Sequence, residues 1–257
     1  MYKTSPLTTP LSKNQLKTLA AFKLQKNCDE HNLFVVEGVK MCHEALLSGF
    51  TIRTVCATDS WWSTLQLGLP PACSCYSVDN AQLERLSALR TPNKVWMLLQ
   101  RDVPPAASAS DSVVLALDGL QDPGNMGTIL RTADWYGIRN VICSHDTVSC
   151  YNPKVVQATM GAIFRTHVDY CDLADRLQQA AASGTATYGA MLDGEPYHVA
   201  SLQHPAILVV GNEGRGLSPA VADAVRHRLT IPNVGGTCES LNAAVATGIL
   251  LARFFTR

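Results

Sequence analysis

Residues 113–138 read VVLALDGLQDPGNMGTILRTADWYGI, and this stretch indicates the fold class of the larger part of the chain. Its first six residues form a short apolar run, which is typical of a buried strand. Glycines and a proline then mark a turn, and apolar residues recur at helical spacing from about residue 125 to residue 136. A strand that passes through a turn into a helix is the repeating unit of α/β domains.

The same pattern continues to the end of the chain. Further apolar runs lie at 140–144, 166–170, 185–192, 206–211 and 227–232, and helical patterns lie near 153–163, 172–182, 218–225 and 240–255. Residues 113–257 therefore predict an α/β domain with a mostly parallel sheet. Residues 1–101 hold alternating strand and helix patterns and predict a smaller α/β domain. Between the two, residues 102–112 combine two prolines with small polar residues, which is typical of a linker.

Length and composition exclude several classes of protein. The 257 residues suffice for one large or two modest domains, and 47% hydrophobic with 16% charged content excludes a disordered chain. The apolar runs are far shorter than the about 20 residues of a membrane span, and the first ten residues lack an apolar signal core. We expect a cytoplasmic protein without membrane segments. Its nine cysteines are expected as reduced thiols, and their spacing predicts no metal site.

The net charge of zero hides a basic amino terminus. The first 28 residues contain five lysines and no acidic residue. Such an excess favours contact with a polyanion such as RNA, although a solvated helix face has the same composition. A helix from about Asn14 places Lys13 and Lys17 on one face, and Lys23 and Lys26 on another. These four lysines are the predicted RNA-binding residues.

Three loops follow predicted strands of the larger domain, where ligands bind in open α/β sheets. The first leads into a helix that carries Arg131. The guanidinium of Arg131 either binds a phosphate or carboxylate of a ligand or forms an ion pair at the protein surface. The second is GNEGRGLS (211–218). Its glycines either let the backbone approach a ligand closely or simply form a turn. The third, between Ile231 and Asn242, ends with Ser240 and Asn242, residue types that commonly cap a helix.

Taken together, these loops resemble the three motifs of the SpoU (TrmH) family of RNA ribose 2'-O-methyltransferases. The resemblance rests on Asn125, Gly127 and Arg131, then on GNEGRGL (211–217), then on the I-P…E-S-L-N pattern from Ile231 to Ala246. It covers essentially all of residues 113–257. The first domain resembles the family's ribosomal-protein-like substrate-binding module through SKNQLKTL (12–19) and LFVVEGVKMCHEAL (33–46).

The resemblance implies properties that the residue patterns do not show. It implies a carboxy-terminal α/β trefoil-knot methyltransferase domain, preceded by a small α/β substrate-binding domain. It also implies a homodimer that binds S-adenosylmethionine and methylates a ribose 2'-hydroxyl of structured RNA, with ribosomal RNA favoured over transfer RNA. Carried over to this sequence, the cofactor residues are Gly211, Ile231 and Leu241. The residues implied at the reaction site are Asn125, Arg131, Glu213, Ser240 and Asn242.

Physical chemistry suggests a role for each reaction-site residue. A guanidinium stays protonated at neutral pH and is a poor base, so Arg131 is expected to position a phosphate or stabilise an alkoxide. Glu213, in a glycine loop, is expected to orient Arg131 or to accept backbone amides. Ser240 and Asn242 are expected to shape the ribose pocket while also capping the last helix.

Two alternative functions remain open at the level of sequence. An RNA-binding module without catalysis is one, although all of the expected reaction-site residues are present. A nicotinamide-dependent oxidoreductase is the other, and it is disfavoured because no G-x-G-x-x-G fingerprint follows an early strand of the larger domain.

Overall fold

The computed structural model describes residues 8–70, 72–89, 91–101 and 112–256. The chain divides into two compact units, one of Met1–Pro105 with Tyr151–Phe164 and the other of Ala106–Cys150 with Arg165–Arg257. The predicted linker at 102–112 lies outside the described residues except for Ser112.

The first unit is built on a five-stranded sheet in the order β1-β4-β3-β5-β2. Its strands are β1 (Thr9–Pro10), β2 (Leu33–Glu37), β3 (Ile52–Ala57), β4 (Ser74–Ser77) and β5 (Val95–Gln100), and its helices include α1 (Lys13–Ala20), α2 (Gln25–Glu30), α3 (Val39–Leu47), α4 (Asp59–Thr64) and α5 (Asn80–Leu86). β1, β4 and β3 are parallel, whereas β5 runs antiparallel to both β3 and β2. Alternation of strands and helices therefore predicted the α/β class, but the sheet of this unit is mixed.

The four predicted RNA-binding lysines lie on three elements: Lys13 and Lys17 on α1, Lys23 on a 3₁₀ turn and Lys26 on α2. Ser12 starts α1 through a capping box with Gln15, close to the predicted start at Asn14. A single 3₁₀ turn over Ala21–Lys23 follows, and Leu24 is extended, with φ of −88° and ψ of 124°. This break places Lys23 and Lys26 on different elements, so the helical face predicted for that pair does not form.

The second unit is built on a six-stranded sheet in the order β11-β9-β10-β6-β7-β8, and every pairing in it is parallel. Its strands are β6 (Val113–Asp118), β7 (Asn140–Ser144), β8 (His167–Cys171), β9 (Ala186–Pro196), β10 (Ala206–Gly211) and β11 (His227–Thr230). Its helices are α6 (Pro123–Trp135), α8 (Leu173–Ala182), α9 (Pro219–Ala224) and α10 (Ala243–Phe255). The predicted parallel sheet is confirmed, and the trefoil knot stays a prediction.

Helices cover both faces of this sheet, which explains why its central strands are apolar throughout. Buried residues on α8 and α9 form one core with alternate residues of β6, β7 and β10. On α10, which packs against α6 and β10, further apolar residues are buried. Because β6 and β10 are adjacent and Gly211 pairs with Asp118, the loops after both strands leave the same edge of the sheet.

The chain returns to the first unit between β7 and β8. Residues 151–164, which include α7 (Pro153–Ala158), pack there although they lie within the predicted 113–257 domain. The contacts are aromatic: the Tyr151 ring lies 4.8 Å from that of Phe34, and the Phe164 ring lies 5.8 Å from that of Phe50. The two units are therefore not consecutive segments of sequence.

The cysteines of the chain are free thiols, and most are buried. Burial raises the pKa of Cys56 and of Cys73 to about 12, so both stay protonated at neutral pH. Protonated, buried thiols are poor nucleophiles and metal ligands. In the described ranges, no group of three or more His, Cys, Asp or Glu residues is arranged to hold a metal. The helices described there are also too short or too polar to span a membrane.

Candidate functional site

Three loops at the carboxyl edge of the second unit's sheet meet at Gly119. The N–H of Gly119 donates to Ser144 Oγ (2.8 Å), and its carbonyl accepts from Asn212 Nδ2 (2.8 Å). Gly119 has a φ of +64°, and an added Cβ would lie 3.1 Å from Asp146 Oδ2. Glycine is therefore required where the loops after β6, β7 and β10 are joined.

The β10 loop begins at Gly211, one of the predicted cofactor residues. Gly211 is buried, and an added Cβ would lie 2.3 Å from the carbonyl carbon of Gly216. The loop folds back so tightly because Asn212 and Gly216 exchange two backbone hydrogen bonds of 2.9 Å. A side chain at position 211 would therefore displace the returning backbone.

Asn125, Glu213 and Asn242 form a chain of hydrogen bonds across three loops. Asn125 Nδ2 donates to Glu213 Oε1 (2.8 Å), and Asn242 Nδ2 donates to Asn125 Oδ1 (2.8 Å). Asn125 lies in the first turn of α6, whose N-cap is Asp122. The structure thus brings together three reaction-site residues that lie 88 and 117 positions apart in sequence.

Asn242 is also the N-cap of α10. Its Oδ1 accepts from the amides of Ala244 and Val245, at 2.9 Å and 3.3 Å. One side chain therefore starts the last helix and binds Asn125. Ser240, which shared this expected capping role, is exposed and caps no helix.

Arg131 lies apart from this hydrogen-bonded chain. It is exposed on α6 and forms no hydrogen bond or ion pair within the described ranges. Six residues of helix separate it from Asn125, a rise of about 9 Å. In the described part of the chain, Glu213 accepts a hydrogen bond from Asn125, and the expected role of Glu213 in orienting Arg131 stays a prediction. The loop amides expected to bind Glu213 instead donate to Asn212 Oδ1.

The segment between β11 and α10 is exposed over residues 233–241, and within it the Asn233 side chain binds the amides of Gly235 and Gly236 and the carbonyls of Gly236 and Cys238. Residues 231–241 form no backbone–backbone hydrogen bond with the described residues. Ile231 is half-buried, and Leu241 is 48% exposed. Beside this segment, Thr230 Oγ1 donates to the carbonyl of Leu192, whose side chain is 77% exposed. The backbone near both predicted cofactor residues is thus available to a ligand.

Sequence reasoning missed several polar residues that shape this edge. Asp118, the last residue of β6, is buried and accepts the amide of Ser218 at 2.6 Å. Ser144 ends β7, and Asn212 follows β10. All three lie where an apolar strand changes to polar sequence at the carboxyl edge, which is the pattern that identifies them.

The four predicted RNA-binding lysines have different surroundings in the first unit. Lys13 and Lys17 are exposed on α1. Lys23 Nζ donates to the carbonyl of Glu84 (3.0 Å) in the last turn of α5. Lys26 Nζ lies 3.8 Å from Glu30 Oε1. The first pair is therefore free for a ligand, whereas the second pair already has partners within the protein.

Comparisons with known proteins cover both units. Residues 112–252 match the profile of the SpoU rRNA Methylase family, and residues 13–96 match that of the MRM3-like substrate binding domain. A Bacillus subtilis protein named 23S rRNA (guanosine(2553)-2'-O)-methyltransferase RlmP is 30% identical over 242 residues, which are 93% of this chain and 96% of that protein.

Solved structures give the same result. A TrmH-family protein from Porphyromonas gingivalis is 37% identical with a TM-score of 0.86, over 96% of this chain and 98% of that one. The AdoMet-bound rRNA methyltransferase from Sinorhizobium meliloti is 28% identical with a TM-score of 0.81, over 96% of this chain and 95% of that one.

The close approach at Gly211 is testable by adding a single methyl group. We expect Gly211→Ala to cost about 1–3 kcal/mol of stability, as other overpacked sites do. That cost corresponds to a Tm lower by about 5 °C. Gly214→Ala is the matched control, because its Cβ would meet only Asn212 Oδ1, at 3.8 Å. Equal melting temperatures for the two variants in thermal unfolding would contradict the packing described here.

Proposed function

The chain belongs to the SpoU rRNA methylase family, and from that premise we propose that it transfers a methyl group from S-adenosylmethionine to a ribose 2'-hydroxyl of ribosomal RNA. The observation that carries the proposal is the hydrogen-bonded chain of Asn125, Glu213 and Asn242, with the exposed Arg131 on the same helix as Asn125. We place the reaction in the cytoplasm, where free thiols such as these persist.

The residues present fit S-adenosylmethionine. Backbone groups beside Ile231 and Leu241, which form no backbone–backbone hydrogen bond with the described residues, can bind the edge of an adenine ring, and exposed Leu192 and Leu241 offer apolar contacts to its faces. Gly211 lets the β10 loop approach closely without a side chain. Gly211, Ile231 and Leu241 would therefore hold the cofactor mainly through the backbone around them.

The protein's own task in the reaction is alignment and charge stabilisation. S-adenosylmethionine supplies an electrophilic methyl group on a sulfonium. Arg131 binds the phosphate beside the target ribose or stabilises the 2'-oxygen as it loses its proton. Ser240 and Asn242 shape the ribose pocket, and Asn125 links Asn242 to Glu213 by accepting from the first and donating to the second. The 2'-hydroxyl proton leaves to water or to the neighbouring phosphate.

The two competing functions make different predictions for ligand binding. An RNA-binding module without catalysis has no need of the Asn125, Glu213 and Asn242 arrangement, and a nicotinamide-dependent enzyme does not agree with the family match. Titration calorimetry with S-adenosylmethionine and with NAD separates them. Heat with S-adenosylmethionine alone supports the methyltransferase, whereas heat with NAD alone contradicts it.

Arg131 is expected to act on the RNA side of the reaction. Removing one preorganised electrostatic group typically costs about a hundredfold to a thousandfold in rate, and we expect that loss in kcat for Arg131→Ala. The affinity for S-adenosylmethionine should stay nearly unchanged. Arg176→Ala on α8, another exposed arginine of this unit, is the control and should leave kcat unchanged. Activity of Arg131→Ala within about threefold of the unsubstituted protein at saturating RNA would remove Arg131 from catalysis.

We further propose that the surface formed by α6 and α10 binds a second copy of the chain. The two helices run side by side, since Asn242 contacts Asn125 at their starts and Phe255 stacks on Tyr136 at their ends, with ring centres 5.2 Å apart. Apolar side chains on them remain exposed, including Trp135 (85%) and Val245 (52%). Large exposed apolar residues on neighbouring helices are typical of protein interfaces.

The dimer is testable at Trp135. We expect the protein to sediment with twice the mass of one chain, and Trp135→Arg to give a single-chain mass with weaker binding of S-adenosylmethionine. Leu47→Arg is the control, because Leu47 is exposed on α3 in the first unit. A single-chain mass for the fully active, unsubstituted protein would contradict the proposal.

We propose that the basic amino terminus supplies RNA affinity without choosing the nucleotide. Lysine contacts phosphate as a point charge, and phosphate contacts carry no sequence information. Lys13 and Lys17 are the best placed of the four, because Lys23 and Lys26 are engaged within the protein. Lys23 keeps two further N–H donors, and the ion pair of Lys26 with Glu30 is exposed and weak, so both can still contact a phosphate.

Salt dependence measures this contribution. Each lysine on single-stranded phosphate adds about 0.7 to the salt slope of binding, so Lys13→Gln with Lys17→Gln should flatten the slope by up to about 1.4. The fourfold variant that adds Lys23→Gln and Lys26→Gln should flatten it by up to about 3 if all four contact RNA. The affinity for S-adenosylmethionine should not change. An unchanged slope in both variants would mean that the lysines are a solvated face.

A further inference from the structure

Asn212 lies directly after β10 and takes no part in the chemistry described above. We propose that Asn212 is a positioning residue for methyl transfer, because it fixes Glu213 against Asn125 by joining the β10 loop to Gly119. The proposal rests on the proposed function, since it concerns the same reaction. It assigns to Asn212 no contact with RNA or cofactor.

The Asn212 side chain uses both of its polar ends within the protein. Its Nδ2 donates to the carbonyl of Gly119 (2.8 Å), and its Oδ1 accepts from the amides of Gly214 (3.0 Å) and Arg215 (3.1 Å). Its backbone exchanges two hydrogen bonds with Gly216. One side chain thus closes the turn of its own loop and joins that loop to the one after β6.

Glu213 needs this support because its loop is rich in glycine. Gly211, Gly214 and Gly216 give the loop more conformational freedom than other residues would. Glu213 lies inside the turn that Asn212 closes, and among the described residues its one hydrogen-bond partner is Asn125. Asn125 in turn lies in the first turn of α6, which follows the loop that leaves Gly119. The Asn212–Gly119 bond therefore sets the distance between the two partners.

The cross-loop bond and the turn within the loop can be separated by one substitution. In Asn212→Asp, a carboxylate still accepts the amides of Gly214 and Arg215, but it no longer donates to Gly119 and places an oxygen against that carbonyl. The turn is kept, and the link between the loops is lost. A displacement of about 1 Å in reacting groups costs about a hundredfold in rate, so we expect kcat to fall about tenfold to a hundredfold.

The experiment is single-turnover methyl transfer from labelled S-adenosylmethionine at saturating cofactor and ribosomal RNA. We expect Asn212→Asp to lower the rate while the dissociation constant of S-adenosylmethionine and the KM for RNA stay within about twofold. Asp172→Asn is the matched control, because Asp172 caps α8 in the same unit and makes the same kind of contact, to the amide of Asp175 at 3.0 Å. Its rate should not change.

A double-mutant cycle tests whether Asn212 acts through Glu213. If it does, Asn212→Asp should have little further effect in a Glu213→Ala background, where no carboxylate remains to be positioned. Additive losses would overturn the proposal. If Asn212→Asp does not fold, Asn212→Ser replaces it, since serine keeps the turn acceptor but is too short to reach Gly119.

The outcomes distinguish this proposal from the proposed function. No methyl transfer by the unsubstituted protein would refute the function itself. An active unsubstituted protein with an unchanged Asn212→Asp rate would refute only the positioning role. A loss of cofactor affinity equal to the loss of rate would also overturn it, because Asn212 would then shape the cofactor site instead.

Discussion

The two hydrogen bonds of Gly119 hold the candidate site together. Its amide and its carbonyl bind side chains from the loops after β7 and β10, while the residue itself belongs to the loop after β6. This arrangement depends on β10, β6 and β7 being neighbours in a parallel sheet, because only then do their carboxyl ends lie side by side. Gly119 adopts the left-handed backbone conformation, and because it has no side chain, both its amide and its carbonyl can form these hydrogen bonds.

Two helix starts add an electrostatic reason for the position of Glu213. Asn125 lies in the first turn of α6 and Asn242 caps α10, and these two asparagines connect Glu213 to both helix starts. The positive ends of helix dipoles favour a nearby negative charge. The same field favours an anionic ligand such as an RNA phosphate at this edge. Arg131, exposed on α6, adds a full positive charge to that surface.

The first unit depends on a segment from far along the sequence. Residues 151–164 place Tyr151 and Phe164 against Phe34 and Phe50, so part of the aromatic core of this unit is supplied after β7. A boundary drawn by composition alone, at the proline-rich stretch, separates these partners. Any fragment that ends before residue 151 exposes Phe34, which is fully buried in the intact chain.

The α/β class, the positions of most strands and the motifs of the site could be predicted from the sequence, because these depend on local periodicity and on residue types at strand ends. The sequence also identified Asn125, Glu213 and Asn242 as residues of one site through a family resemblance. Their hydrogen-bond partners follow from the packing of distant segments. Glu213 accepts from Asn125 because the loops after β10 and β6 leave the same edge of the sheet, where Gly211 pairs with Asp118. Two further features depend on contacts between distant segments, which a local sequence pattern does not contain. Lys23 donates to the carbonyl of Glu84, and residues 151–164 pack in the first unit.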